Sequence, residues 1–225
     1  MLRTFPRTRP ATFTLILASG LVWAVTAGQS GSVSDSLLGS PLAAQWILWG
    51  PLLATEPLGL WRALGAMFLH VDVVHLAMNM VLLGYLGWRM ERAMGSGVFT
   101  TAYIAGGVGA AALVCWFDPT TATAGASGAI YGLLAVLVVF VARRRGDLRI
   151  PLLLLAVNVG YTVLAPGVSF WGHVGGLFSG GMMAWWVTSP QRRTRWAGAL
   201  LTLAAAGVIL VVYVSFFPDL PAPHL

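Results

Sequence analysis

Three small groups of residues in this chain have the types and spacing to do chemistry. In Gly125-Ala126-Ser127-Gly128-Ala129-Ile130-Tyr131-Gly132 a hydroxyl stands among glycines at the mouth of an apolar segment. His75 and Asn79 lie at i and i+4, which puts both on one face of a helix. His173 opens another apolar segment and is followed by Gly176 and Gly180. A serine hydroxyl is a poor nucleophile until a base takes its proton, and histidine, with an ordinary pKa of about 6.5, is the usual base. Ser127 and His173 are therefore the candidate nucleophile and base. No Asp or Glu occurs from Ile150 to Gln191, so the third member of a Ser-His-Asp triad has no evident candidate and a dyad is expected. Beside these readings stand plainer ones: small residues let membrane helices approach closely, and a polar pair in such a helix is commonly an interhelical hydrogen bond.

The elements that must position these residues are membrane helices. At 225 residues, 58% hydrophobic and 9% charged, the chain is too apolar for a soluble domain of its length. The formal charge of +6 comes from 13 basic residues, all arginine, and they lie between apolar segments rather than in a nucleic-acid-binding patch. The single cysteine, Cys115, excludes an internal disulfide and reads as a packing residue.

Seven apolar segments follow in order. Ala11 to Gln29 suits a span; it also imitates a signal peptide, with a basic start and small residues at Val25-Thr26-Ala27. Residues 30–66 form a long connection rich in Gly, Ser and Pro, whose Trp46, Trp49 and Trp61 suit a loop lying partly in the outer interface, with short helices. Arg62 there reads equally as an interfacial charge or as a residue that holds the loop. The remaining spans are expected at 67–88, 93–117, from near Ser127 to Arg143, 150–164, 172–188 and 196–218, with Ala165-Pro166-Gly167 breaking the fifth from the sixth. Residues 1–10 are then a cytoplasmic segment and 219–225 an outer tail. Twelve of the 13 arginines fall on one side of a seven-span chain, which the positive-inside rule makes the cytoplasm. Anionic-lipid contact by the same arginines is compatible with this. With that topology His75, Ser127 and His173 share the outer thirds of their helices, with Ser127 a few residues inside the outer end of its own. No internal repeat is evident, which weakens an inverted-repeat transporter, and the spans lack the buried charges of an ion pathway.

The ordered set Trp61-Arg62, His70, His75 and Asn79, Glu91-Arg92, Gly95-Ser96, Gly-x-Ser-Gly with Tyr131, and His173 with Gly176 and Gly180 resembles the rhomboid family of intramembrane serine proteases. The likeness covers roughly Trp61 to Trp186. It implies an all-α polytopic membrane protein with a six-helix core, 11–188, to which this chain adds a C-terminal seventh helix. It also implies a Ser127–His173 dyad, with the Ser127 backbone N–H, the Asn79 amide and the His75 ring holding the oxyanion. Tyr131, one turn after Ser127, is placed to stack on His173, its plainer reading being a packing aromatic. Gly125, Gly128, Gly176 and Gly180 support the site, with the sixth span packed on the fourth. The family often has alanine where this chain has Gly172, which puts the start of that helix in question. His70 and Asp72 read as interface or loop-holding residues, and Asn158 and Tyr161 as satisfying each other or neighbouring helices. The implied partners are the lipid bilayer and transmembrane segments of other proteins, entering sideways between the second and fifth spans beneath the 165–171 loop. No cofactor, metal or nucleic acid is called for. A non-catalytic rhomboid-like binder of membrane proteins is the alternative, and a bacterial plasma membrane the expected location.

The arginine pattern makes one direct prediction about topology. A reporter fused after Leu225 should report an extracytoplasmic C-terminus, as active alkaline phosphatase and dark cytoplasmic fluorescent protein; the reverse signals would mean that a span was miscounted.

Overall fold

The computed structural model describes residues 9–217, so Arg3, Arg7 and the expected outer tail lie outside the described residues. The described residues form ten α-helices: α1 (Pro10–Ser30), α2 (Pro41–Trp46), α3 (Gly50–Thr55), α4 (Arg62–Gly65), α5 (Val73–Met94), α6 (Ser96–Phe117), α7 (Ser127–Arg143), α8 (Arg149–Leu164), α9 (Phe170–Val187) and α10 (Arg192–Phe216). A long helix falls at each of the seven expected positions, and the short α2, α3 and α4 fall in the 30–66 connection. The chain is an all-α, polytopic membrane fold.

Several boundaries move, each for a local reason. The second long helix begins at Val73, not Met67, because Asp72 caps it: its carboxylate accepts the His75 backbone N–H at 2.7 Å. Residues 66–68 instead close the loop as a 3₁₀ turn. The last helix starts at Arg192, four residues before Trp196, and takes the arginines into its first turn. By length and apolarity α1, α6 and α10 qualify alone as spans, and Gly59–Phe68 with Val73–Met94 qualifies as a pair bent by 84°. The apolar α7 and α8 are shorter, at 17 and 16 residues. At 1.5 Å per residue each is about 25 Å long, less than the roughly 30 Å hydrocarbon core of a bilayer.

At the centre stands α6, with buried residues on every face from Val98 to Cys115. It packs against α9, α10 and α7, while α7 and α9 form the most extensive helix pair. Glycine explains that last contact. A Cβ on Gly176 would drive into the Gly128 carbonyl, and one on Gly180 into the Gly132 backbone, so the two helices touch main chain to main chain. In an apolar solvent, where hydrophobicity does not drive helices together, such close van der Waals contact is a principal source of association.

Two polar devices hold the ends. Glu91, 3% exposed near the end of α5, accepts the Ala11 N–H at 3.0 Å, the Thr12 N–H at 2.8 Å, the Thr12 hydroxyl at 2.6 Å and the Ser96 hydroxyl at 2.6 Å. One carboxylate thereby satisfies orphan donors at the start of α1 and ties it to the α5–α6 junction. At the same end Arg9, Arg89, Arg143 and Arg144 lie over the rings of Trp88, Tyr85, Trp185 and Phe140.

At the other end Arg62, its side chain 3% exposed, donates to Glu56 at 2.6 and 3.1 Å and to the Ala44 and Ile47 carbonyls at 2.8 and 3.1 Å. Of its two readings, this geometry selects the one that holds the loop. The loop in turn grips the segment before α7: Leu48 and Thr123 exchange backbone hydrogen bonds, Gly50 N–H reaches Pro119 O at 2.9 Å, and Gly125 N–H reaches Ala66 O at 2.8 Å.

Adjacent glycines of α9 provide a matched test of the main-chain contact. Gly180→Ala should lower stability by about 1–3 kcal/mol through overpacking, whereas Gly181→Ala, where a Cβ meets nothing within 4 Å, should be neutral or slightly stabilising. Thermal unfolding of both purified variants checks this, and equal midpoints would remove the main-chain contact as a constraint.

Candidate active site

Ser127 is the first residue of α7, preceded by Ala126 in the N-cap position. It therefore opens its helix rather than lying a few residues inside it. A helix N-terminus leaves its first N–H groups without intrahelical partners and carries a partial positive charge, so the Ser127 N–H is one of the donors that α7 itself does not use. Gly125 turns the chain into the helix at φ +127°, a conformation that suits glycine. A Cβ there would stand 3.0 Å from His75 Nε2 and 3.8 Å from Ser127 Oγ. The imidazole of His75 and the serine hydroxyl thus border one small space beside the Gly125 backbone.

His173 lies in the first turn of α9. Ser169 caps that helix, its hydroxyl accepting the Gly172 N–H at 3.2 Å, and a Cβ on Gly172 would come within 2.9 Å of the same hydroxyl. The glycine is thus fitted to the cap, and the helix start that it put in question is well defined. Because α9 lies against α7 with only glycine between, His173 Nε2 comes to 2.8 Å from Ser127 Oγ. Tyr131, one turn along α7, stacks on the His173 ring with centroids 4.0 Å apart and planes 9° from parallel. The Tyr131 hydroxyl bonds to the Asn158 carbonyl and to Thr162 Oγ1 on α8.

His75 and Asn79 lie on α5, across the same cavity. Asn79 is 7% exposed and donates one amide N–H to the His75 carbonyl at 2.9 Å, leaving the second available. His70 is fully buried and meets the His75 ring edge-on at a centroid distance of 5.1 Å. Its carbonyl accepts the Ser36 hydroxyl at 2.6 Å, so it belongs to the loop anchorage. Ser127, His173, His75, Asn79 and Tyr131 all line one cavity of about 1310 Å³. Its walls are Met78, Val81 and Tyr85 of α5 and Leu154 and Val157 of α8, and Gly167 and Val168 of the α8–α9 loop form a further edge.

One neighbour of the site escaped the sequence reading. Thr162 Oγ1 lies 2.7 Å from His173 Nδ1, the ring nitrogen turned away from the serine. Asn158 and Tyr161 had drawn attention on this helix, but they do not satisfy each other. The Asn158 amide donates to Leu154 O at 2.8 Å, and Tyr161 is half exposed. The available signal was a hydroxyl one turn after Asn158 in an otherwise apolar helix, which is common in membrane helices.

This is a polytopic membrane bundle in which a serine at one helix start is hydrogen-bonded to a histidine in the first turn of another. Comparison with known proteins gives the family. The rhomboid domain model matches residues 57–191, more than half of the chain. The chain belongs to the rhomboid family and is an integral membrane protein. It is similar to Rhomboid protease GluP of Bacillus subtilis (33% identical over 156 residues, 67% of this chain and 30% of the relative). RHOMBOID-like protein 4 of Arabidopsis thaliana is 37% identical over 127 residues, 53% of this chain and 32% of the relative. Rhomboid-like protease 5 of Toxoplasma gondii is 30% identical over 155 residues, 65% of this chain and 18% of the relative. The chain spans less than half the length of each of these relatives.

Proposed function

We propose that this protein is an intramembrane serine endopeptidase that cleaves transmembrane segments of other membrane proteins with Ser127 as nucleophile and His173 as general base. The observation that carries the reading is the 2.8 Å contact between Ser127 Oγ and His173 Nε2 in the wall of a large cavity. His173 takes the hydroxyl proton as Ser127 Oγ attacks the scissile carbonyl carbon, and later gives it to the leaving amine nitrogen. Water then attacks the acyl-enzyme by the same exchange in reverse. The Ser127 N–H, the free amide N–H of Asn79 and the His75 ring face the carbonyl oxygen as it gains negative charge.

The shortness of α7 supports the placement in the membrane. Starting from Arg143 at the arginine-rich end, 17 residues rise about 25 Å, several Å short of a roughly 30 Å core. Ser127 would thus lie beneath the far boundary, on the extracytoplasmic side if the arginines face the cytoplasm, with the irregular 118–126 segment filling the remaining depth. Non-helical backbone at that depth is tolerated where it is buried in protein or lines a watery cavity, and this segment is tied to the 30–66 loop and lines the cavity.

Substrate would enter between α5 and α8, which do not pack closely and whose facing side chains wall the cavity. A scissile peptide held in helical hydrogen bonds cannot present its carbonyl, so segments that unwind readily are the expected substrates. The family relation and the relatives named as proteases support hydrolase chemistry.

The reading predicts a graded set of losses. Ser127→Ala should abolish both cleavage of a model transmembrane substrate and fluorophosphonate labelling while leaving the fold intact, and undiminished cleavage would overturn the protease assignment in favour of a binding role. His75→Ala and Asn79→Ala should each retain measurable cleavage, with turnover reduced by no more than about 10²–10³-fold and substrate affinity changed less. Wild-type turnover in both would return the pair to helix packing.

A further inference from the structure

Stacking alone does not settle how His173 works as a base. With Tyr131 against one face, the imidazole plane is fixed, but a half-turn about the Cβ–Cγ bond would leave the stack intact and turn Cε1 instead of Nε2 toward Ser127, and a move of the proton from one nitrogen to the other would present a protonated Nε2. A base needs a bare Nε2 toward the hydroxyl, and therefore the proton on Nδ1. What faces Nδ1 decides the matter.

Facing it is Thr162 Oγ1, at 2.7 Å, on a residue only 8% exposed. The same hydroxyl lies 2.9 Å from the Asn158 carbonyl one turn back on α8, the usual partner of a helical threonine. Tyr131 OH closes the cluster, touching both Asn158 O and Thr162 Oγ1. Four close contacts must share the available protons. If Nδ1 carries a proton, three donors serve them: the threonine hydroxyl gives to Asn158 O, the tyrosine hydroxyl gives to Asn158 O or to Thr162 Oγ1, and Nδ1–H gives to Thr162 Oγ1. If Nδ1 is bare, only two donors remain, and the threonine must turn its proton from the Asn158 carbonyl to the ring. The first arrangement makes three of the four contacts hydrogen bonds and the second only two. It is also the one that points a bare Nε2 at Ser127.

We propose that Thr162 is a positioning residue for the Ser127–His173 pair, its hydroxyl accepting Nδ1–H of His173 and so fixing both the ring orientation and the tautomer. This rests on the reading of His173 as the base. The proton of Ser127 passes to Nε2 as the Oγ–carbon bond forms, the ring becomes a cation, and the Nδ1–H···Oγ1 bond strengthens as the donor gains charge. The proton then leaves with the amine nitrogen as the peptide C–N bond breaks. A neutral threonine hydroxyl thus occupies the place that a carboxylate holds in a triad, and does so without the cost of a charge in an apolar bundle.

The test uses the full chain, purified, with a fluorogenic transmembrane peptide as substrate. Thr162→Val, which keeps the shape and removes the acceptor, should lower kcat by about 10- to 100-fold, as expected for losing a hydrogen bond to a charged group, with KM little changed. Thr162→Ser should restore most of the activity. Nitrogen-15 spectra of labelled histidine, with the His173 signals assigned by their loss in His173→Gln, should show the proton on Nδ1 in the wild type and a mixture of tautomers in Thr162→Val.

Wild-type kcat in Thr162→Val, an equal loss in Thr162→Ser, or a wild-type His173 protonated on Nε2 would each overturn the proposal. If Thr162→Val fails to fold, the serine variant and the wild-type spectrum still decide it. Full activity in Ser127→Ala would instead remove the base reading itself, whereas a dead Ser127→Ala beside a fully active Thr162→Val would remove only the role of Thr162.

Discussion

Helices α7 and α9 meet backbone to backbone, and that approach brings a hydroxyl and an imidazole 46 residues apart in sequence to 2.8 Å. Both side chains sit in the first turns of their helices, so the interaxial distance at that end sets how far apart their backbones stand. A single methyl group at Gly176 or Gly180 would have to push the pair apart. The glycines thus have a chemical consequence, although none of them touches the reacting atoms. Their arrangement also lets α6 fill the remaining side of the pair: a Cβ on Gly106 would meet Ala129 at 3.3 Å, and one on Gly175 would meet Ala110 at 2.9 Å.

The loop of residues 30–66 does for depth what the glycines do for distance. With α7 placed as proposed, irregular backbone would lie between its first residue and the membrane boundary, and each free N–H and C=O there would be costly in lipid. The hydrogen bonds from Leu48, Gly50 and Ala66 to the 119–125 segment satisfy several of these groups, and Arg62 holds the loop that supplies them. Trp46 and Trp61, edge to face at 6.0 Å, stiffen the same region. An aromatic-rich connection that reads from sequence as an interfacial flap is therefore also the clamp on the serine-bearing turn.

Much of this was legible beforehand because it depends on local pattern. Apolar segment length located the seven long helices, and the ordered set of Ser127, His173, His75, Asn79 and Tyr131 marked residues that line one cavity. Boundaries were less legible. Met67 and Phe68 are as apolar as a helix interior, and only the Asp72 cap, a single side-chain contact, separates them from α5. Thr162 was barely legible: it lies one residue from Tyr161, roughly 100° around the helix, and which of the two faces the bundle depends on how α8 is rotated. Glu91 was visible as part of a motif, but its partners at Ala11 and Thr12 are about 80 positions away, so its function as a clamp on α1 is tertiary information.

The rotation of α8 leads to a property of the site as a whole. Of its 16 residues only Pro151 and Thr162 are buried, while α7 and α9 bury half or more of theirs. An apolar helix facing lipid on most sides gains little from apolar contact with its neighbours, because lipid offers the same contact. Near the site its attachment therefore rests on the polar cluster of Asn158, Thr162, Tyr131 and His173. That cluster is also the one proposed to orient the imidazole. On the proposed entry route past α8, the wall that would yield to a substrate is fastened to the bundle through the partner of the proposed base, and moving α8 far enough to break the Thr162 contact would release the His173 ring from its Nδ1 partner. If the proposed route is used, the apolar rest of α8 could adjust around a guest at small cost, and the opening that spares the polar cluster would be a tilt that keeps Asn158 and Thr162 in place while the Ile150–Val157 end, which carries Leu154 and Val157 of the cavity wall, moves aside.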